Sequence, residues 1–324
     1  MSEPPYRIED LGDRRVLTVG GRDYPTSYSA RLVRMLVERK GALRAPQYFE
    51  YKETRGHHFL DPLFAYVRRR GARDLRVLEV GCSFGHITEY LAERPEVREI
   101  ATFDTDPAFA AMVRVKVEEM RLERVRDVRL FSNEETRRLP YPGGSFDLVL
   151  VLGVIEHLPV RGRRQIVDEY YRVLAPGGHI AILDTPNRLF PLETHSVGLP
   201  LVQWLPAPLA FAYAKLARPG RMRGVDYAGF VMDGTGWRNA SLGECLPSSG
   251  WRGLEDVTEQ AGFGWTFFRN TARSRTRRRL LPAFGLVCGG LRRLGLSPSL
   301  ALPYLNLLLR KQRVDPRQGG AAPP

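Results

Sequence analysis

The chain has 324 residues, 43% of them hydrophobic and 26% charged, which fits a folded protein and excludes wholesale disorder. Its length suits one large domain with additions, or two modest ones. The formal net charge of +13 is regional: no acidic residue lies between Glu259 and Asp315 against eleven basic ones, and none between Glu193 and Asp226 against four. That distribution points to one or two basic surfaces rather than a generally cationic protein, with an arginine-rich genome as the blander reading.

The opening MSEPPYRIEDLGDRR is polar and mixed in charge, so no secretory signal is expected. No apolar run reaches the ~18 residues needed to span a bilayer, and a cytoplasmic location is the expectation. Cys82, Cys245 and Cys288 lie far apart and match no ligand spacing, which argues against a disulfide framework or a zinc site built on them. Residues 1–74 read as a helical N-terminal extension, carried by ARLVRMLVERK and FLDPLFAYVRRR.

From about residue 75 to 187 strands and helices alternate. RVLEVG is a strand, HITEYLAER a helix, EIATFD a strand ending in Asp104, and PAFAAMVRVKVEEMRLE a helix with Pro107 at its start and Asp106 placed to cap it. VRLF and the wholly apolar FDLVLVLGVI are further strands. RRQIVDEYYRVL is a helix stopped by APGG, and HIAILDTPN is the fifth strand. The alternation predicts an α/β fold with a doubly wound, mostly parallel sheet. In such a sheet a ligand sits beyond the carboxyl ends of the strands, here Gly81 to Gly85, Asp104, residues 132–136, Gly153 to His157 and Asp184 to Asn187.

Downstream, GLEDVTEQAGF reads as a helix, GFGWTFFRN as a sixth strand and PYLNLLLRKQ as a seventh, antiparallel at an edge. Residues 250–270 and 302–314 thus complete the sheet, while 188–249 and 271–301 are insertions expected to cap the ligand crevice. The final DPRQGGAAPP (residues 315–324) has the composition of a disordered tail.

The stretch VLEVGCSFGHITEYL carries the main functional signal. Small residues at Gly81, Ser83 and Gly85 let backbone approach a ligand closely, and Glu79 can hold a cationic group. Asp104, twenty-three residues after Gly81, can accept both hydroxyls of a ribose. A nicotinamide dehydrogenase would want a G-x-G-x-x-G phosphate loop without the preceding acid. Together with LPYPGGSFDLVLVLGVIEHL and YYRVLAPGGHIAIL, these motifs resemble the class I S-adenosylmethionine-dependent methyltransferases, in particular the small-molecule type 11/12 subfamily that includes ubiquinone- and sterol-methylating enzymes.

The resemblance covers about residues 75–187, and 250–269 more loosely. It implies a seven-stranded Rossmann-like sheet and S-adenosyl-L-methionine as cofactor. Glu79, Gly81, Ser83, Gly85 and Asp104 would bind it, with Glu135, or Glu134 in the neighbouring register, at the adenine. Ser83 departs from the family's glycine, with room for an added hydrogen bond. His157 and His195 are the candidate bases, His157 having a packing role as its alternative. No metal is expected, with a Glu156, His157 and His195 cluster, as in some metal-assisted relatives, as the alternative: Gly153 stands where those relatives carry a further acid.

The acceptor is expected to be a small, lipid-linked or glycan-type molecule methylated on oxygen. No Asn/Asp-Pro-Pro-aromatic tetrapeptide or reactive cysteine follows the fourth strand, so a nucleic acid acceptor is unlikely on sequence grounds. An RNA methyltransferase and a non-catalytic cofactor-fold protein are the alternatives. Residues 199–223 and 271–296 mix apolar and basic character. They suit either a lid or a peripheral element that buries Trp204, Phe211, Tyr213 or Phe284 at an anionic membrane surface.

Overall fold

The computed structural model describes residues 5–12, 14–232 and 234–313, so the predicted disordered tail lies outside the described residues. The chain divides into two compact units, residues 1–132 and 133–324.

The first unit opens with strands β1 (Tyr6–Asp10), β2 (Arg15–Val19) and β3 (Arg22–Thr26), an antiparallel sheet of their own. The extension is therefore not purely helical. Its β2–β3 hairpin turns on Gly20-Gly21, both at positive φ, the pair that a two-residue type I′ turn demands. Helix α1 (Ala30–Lys40) starts at Ser29, whose hydroxyl accepts from the Leu32 amide, and α2 (His57–Arg69) follows a π-helical turn at Lys52–Gly56.

Next come β4 (Leu75–Val80), α3 (His86–Ala92), β5 (Val97–Asp104), α4 (Pro107–Glu119) and β6 (Val125–Leu130). β4, β5 and β6 are parallel. Asp106 caps α4, its side chain accepting from the Ala108 amide, with Pro107 in the first turn. One apolar cluster joins Leu17, Val19, Leu32 and Leu36 of the extension to Phe84, Phe109 and Met112, so the extension packs on the turn after β4.

The second unit contains β7 (Phe146–Leu152), α5 (Arg163–Val173), β8 (Leu174–Pro186), α6 (Ala207–Ala217), α7 (Tyr227–Val231), β9 (Leu254–Asp256), α8 (Gly264–Asn270), α9 (Arg275–Arg293) and β10 (Tyr304–Lys311). β7 and β8 are parallel, while β10 runs antiparallel to both β8 and β9. The seven long-range strands follow the order β6-β5-β4-β7-β8-β10-β9. The predicted doubly wound, mostly parallel seven-stranded sheet is present.

Three local expectations fail. The segment read as a helix over residues 253–263 supplies the short strand β9, and GFGWTFFRN, read as a strand, is helix α8. The antiparallel strand β10 is interior, with β9 at the edge. The α8 reversal has a visible cause. The Glu259 carboxylate accepts from the Trp265 amide at 2.8 Å and the Thr266 hydroxyl at 3.1 Å, satisfying donors at a helix start that β-favouring aromatics would not nucleate alone.

Within 188–249, residues Val197, Val202, Ala210, Met222, Phe230 and Trp237 form a self-contained core. Among the described residues no helix is long and apolar enough to cross a membrane.

Candidate cofactor and acceptor sites

In the first unit, β4 ends in a turn whose residues Gly81, Ser83 and Gly85 all have positive φ, at 75°, 48° and 77°. A Cβ at Gly85 would stand 2.9 Å from Val113 Cγ2 in addition to occupying the left-handed region, so glycine is required there. Ser83 adopts that region without glycine's freedom, at a cost of about 1–2 kcal/mol. Its amide compensates by donating to Asp104 Oδ2 at 2.8 Å. This is a main-chain bond that glycine would make as well, so it is not the added bond anticipated from serine at this position.

Asp104 Oδ1 accepts from the Asp106 amide at 2.9 Å. Burial raises the carboxyl's pKa, opposed by these amide bonds. A carboxylate offers about four acceptor directions, so these amide bonds leave capacity for a ribose hydroxyl.

Glu79 is buried, and its Oε2 accepts from Thr88 at 2.6 Å and Thr102 at 2.9 Å. Burial, only partly offset by these hydroxyls, pushes its pKa up to about 7. The carboxylate therefore ties β4, α3 and β5 together immediately beneath the turn.

A second buried network supports Phe84. Glu89 accepts from Lys116 at 3.2 Å, Tyr28 at 3.0 Å and Lys52 at 3.0 Å, and Lys116 Nζ lies 4.1 Å from the ring centroids of both Tyr28 and Phe84. Burial brings the Lys116 pKa down to about 8. None of Thr88, Thr102, Glu89 or Lys116 was singled out from sequence, since each acts through partners distant along the chain.

In the second unit, Glu156 and His157 sit in the 3-10 turn Ile155–His157 that follows β7. His157 Nδ1 lies 2.6 Å from the Gly234 carbonyl. A carbonyl only accepts, so Nδ1 carries a proton, and in the neutral ring Nε2 presents a lone pair. That nitrogen is 3.2 Å from His195 Nε2, and the rings meet edge to face. Gly236 closes against both: a Cβ there would stand 2.9 Å from His195 Cδ2 and 3.2 Å from His157 Cε1.

His195 is held through its backbone. The buried Glu193 carboxylate accepts four consecutive amides, from His195, Ser196, Val197 and Gly198, at 2.6 to 2.9 Å. The His157 turn is clamped by buried Arg163, which donates to the Glu156 and Leu158 carbonyls and to that of Asn239 and pairs with Glu244. A cavity of about 390 Å³ adjoins, bounded by Glu156, Leu158, Tyr227, Met232 and Trp237. That volume suits a small acceptor or part of a larger one.

The structure thus brings Gly81, Ser83, Gly85 and Asp104 together in one turn, and His157 with His195 in another site. Glu135, itself exposed, opens the 3-10 turn Glu135–Arg137 of the second unit, and neighbouring Glu134 pairs with Arg137 at 3.2 Å. Of the aromatic residues expected at a membrane, Phe211 packs on Tyr227 and Phe230, and Phe284 on Phe190 and Phe268. Trp204 alone of that set is exposed; Tyr213 packs partly buried against the core of the 197–237 segment.

A strand turning through left-handed residues into a helix, with a carboxylate closing the next strand, is the arrangement that the class I methyltransferase resemblance implies. Residues 78–182 match the family described as Methyltransferase domain, and with that match the chain carries a class I S-adenosylmethionine-dependent methyltransferase domain of the type 11 kind.

Among its relatives, a probable S-adenosylmethionine-dependent methyltransferase of Mycolicibacterium smegmatis is 38% identical over 38% of this chain and 42% of its own. A demethylmenaquinone methyltransferase of Thermus thermophilus is 33% identical over 36% and 54%. A phosphatidylethanolamine N-methyltransferase of Cereibacter sphaeroides is 34% identical over 37% and 54%. The chain therefore spans about half the length of the curated relatives it matches.

Proposed function

We propose that the protein transfers a methyl group from S-adenosylmethionine to an oxygen of a small, lipid-linked or glycan-type acceptor. The carrying observation is the His157–His195 pair, two imidazoles oriented by Gly234 and Glu193 beside a cavity. An oxygen nucleophile needs its proton removed, and an oriented imidazole is the group that does so near neutral pH.

The cofactor supplies an electrophilic methyl on a sulfonium. In this reading the acceptor O–H gives its proton to the imidazole pair, oxygen forms the new C–O bond, and sulfur keeps the C–S pair and leaves as a neutral thioether. Gly81, Ser83 and Gly85 admit the cofactor's backbone contacts, Asp104 accepts the ribose hydroxyls, and Glu79 holds the turn. Glu135 is assigned to the adenine on the resemblance alone.

One relative is named for a quinone and another for a phospholipid, which supports an acceptor with an apolar part. The surface of the second unit supports it too. Helix α9 carries six arginines and no acid, with Leu286 and Val287 exposed between them and Leu294 exposed just past its end, and Leu209 and Leu216 of α6 are also exposed. We therefore assign residues 199–223 and 271–296 a peripheral role at anionic lipid, where arginine meets headgroups and leucine enters the interface.

Incubating the protein with methyl-labelled S-adenosylmethionine and lipid, saccharide and RNA fractions of cell extract tests the reading. Label should enter the lipid or saccharide fraction and fall at least tenfold in His195→Ala. Label in RNA, or cofactor binding with no transfer to any fraction, would overturn it.

A further inference from the structure

We propose that Glu156, His157 and His195 together hold a divalent transition-metal ion of the zinc class, with a coordination position open to the acceptor oxygen. One ligand atom from each residue lies within 4.8 Å of the others. The two Nε2 atoms are 3.2 Å apart. With metal–nitrogen bonds of about 2.0–2.1 Å, that separation corresponds to an angle of roughly 100° at a shared ion, close to tetrahedral.

The tautomer is the one a ligand needs. The Gly234 carbonyl takes the Nδ1 proton of His157, which leaves Nε2 as the donor atom, and metal-bound imidazoles characteristically give their second N–H to such an acceptor. The site is also built rather than accidental. Glu193 fixes the His195 backbone with four amide bonds, Arg163 fixes the turn bearing Glu156 and His157, and Gly236 alone lets both rings close on each other.

Buried Glu156 adds a carboxylate to two neutral imidazoles, a donor set for zinc, cobalt, manganese or ferrous ion rather than for a thiolate-seeking soft ion. From the sequence no metal is expected because Gly153 stands where a further acid would be wanted, whereas folding gathers Glu156, His157 and His195 within ligand distance of one another without it.

The proposal deepens the oxygen-acceptor reading and rests on it for the ion's use. With both Nε2 atoms engaged as ligands, the acceptor proton leaves to water, and the ion lowers the cost of the resulting oxyanion by Lewis acidity. Carbon–oxygen bond formation and carbon–sulfur cleavage proceed as before, with no change in oxidation state.

Tag-free full-length protein, stripped with a chelator, would be titrated with Co²⁺ and followed by its visible d–d absorption, then with Zn²⁺ by calorimetry. The expected result is one ion per chain, a tetrahedral Co²⁺ spectrum, and affinity weakened 10- to 100-fold or more in His157→Ala, His195→Ala and Glu156→Gln. Asp104→Ala should take up the ion like wild type while losing cofactor affinity.

No stoichiometric Co²⁺ uptake by the wild type, a measurement independent of any variant's folding, sinks the proposal. So does uptake that His195→Ala leaves unchanged. Methyl transfer that survives complete metal removal leaves the oxygen-methylation reading intact and overturns the metal. Stoichiometric metal uptake without methyl transfer to any fraction does the reverse.

Discussion

At the scale of single residues, the turn after β4 divides, in the proposed reading, into positions assigned to the cofactor and positions that hold the turn. Asp104 belongs to the first group. Asp104→Ala removes a partly buried charged acceptor and the tether of the Ser83 amide, so cofactor affinity by calorimetry should fall tenfold or more. Unchanged affinity in a folded variant would remove Asp104 from the site. Glu79 belongs to the second group and makes a pH prediction.

Its carboxyl rises from 4.5 to about 7 on folding because burial disfavours the charge. The native state thus binds the proton more tightly than the unfolded chain. The associated stability is complete below 4.5 and lost as pH rises through about 7. The shift corresponds to a loss on the order of 3 kcal/mol. In the absence of cofactor, urea midpoints of the wild type should decline between pH 5 and pH 8 more steeply than those of Glu79→Gln. Parallel curves would show that Glu79 does not hold its proton.

Gly81 and Gly85 were legible because positive φ restricts which residues can stand there, and Asp104 because an acid closing the second strand lies at a set distance from them. Thr88, Thr102, Arg163 and Gly236 were not, since their roles exist only through partners brought close by folding.

Individual elements were legible where periodicity and flanking signals agreed. Helix α4 has Asp106 as cap, Pro107 in the first turn and an apolar face, and it forms where expected. The hairpin of β2 and β3 escaped notice because its signal is a Gly-Gly pair between short strands rather than a long run. Residues 253–270 were misread because tertiary contacts outweigh local preference there. LED pairs with β10 as a strand, and Glu259 reaches forward to start α8.

Gly264 is part of that device, since a Cβ would stand 2.6 Å from Glu259 Oε1 at a φ of +61°. Glu259 also pairs with Arg292 at 3.0 Å, linking the start of α8 to the end of α9. Glu259→Ala should therefore lower unfolding stability by about 1–2 kcal/mol, the value of a lost helix cap. Amide exchange should accelerate over residues 264–293 first. Acceleration spread evenly over the second unit would argue that Glu259 has no local role.

At the scale of the whole molecule, the most uneven property is charge. Helix α9 places Arg275, Arg277, Arg278 and Arg279 in its first two turns with no acid among them, against the positive end of the helix dipole, where anions are favoured. Arg277 is excluded from any surface role, because its guanidinium stacks 4.3 Å over Phe268. Arg275, Arg278 and Arg279 are exposed, Leu286 follows on the same helix at 80% exposure, and Leu294 caps its end at 75%. Phe190 stacks on Phe284, so the first insertion is anchored to this helix.

Each arginine near an anionic bilayer contributes about 1 kcal/mol, so three together are worth roughly 3 kcal/mol, or about a hundredfold in partitioning. The protein should therefore sediment with vesicles containing phosphatidylglycerol and not with phosphatidylcholine alone. Replacing Arg275, Arg278 and Arg279 with Gln should abolish sedimentation at physiological salt while cofactor affinity stays at the wild-type value. Leu286→Ser with Leu294→Ser should weaken binding to the anionic vesicles without changing its salt dependence, because these side chains contribute area rather than charge. Raising salt should release the wild type as exposed charges are screened. Recovery that is equal with both vesicle types, or absent with both, would leave α6 and α9 with no lipid role and return their arginines to bulk solvent.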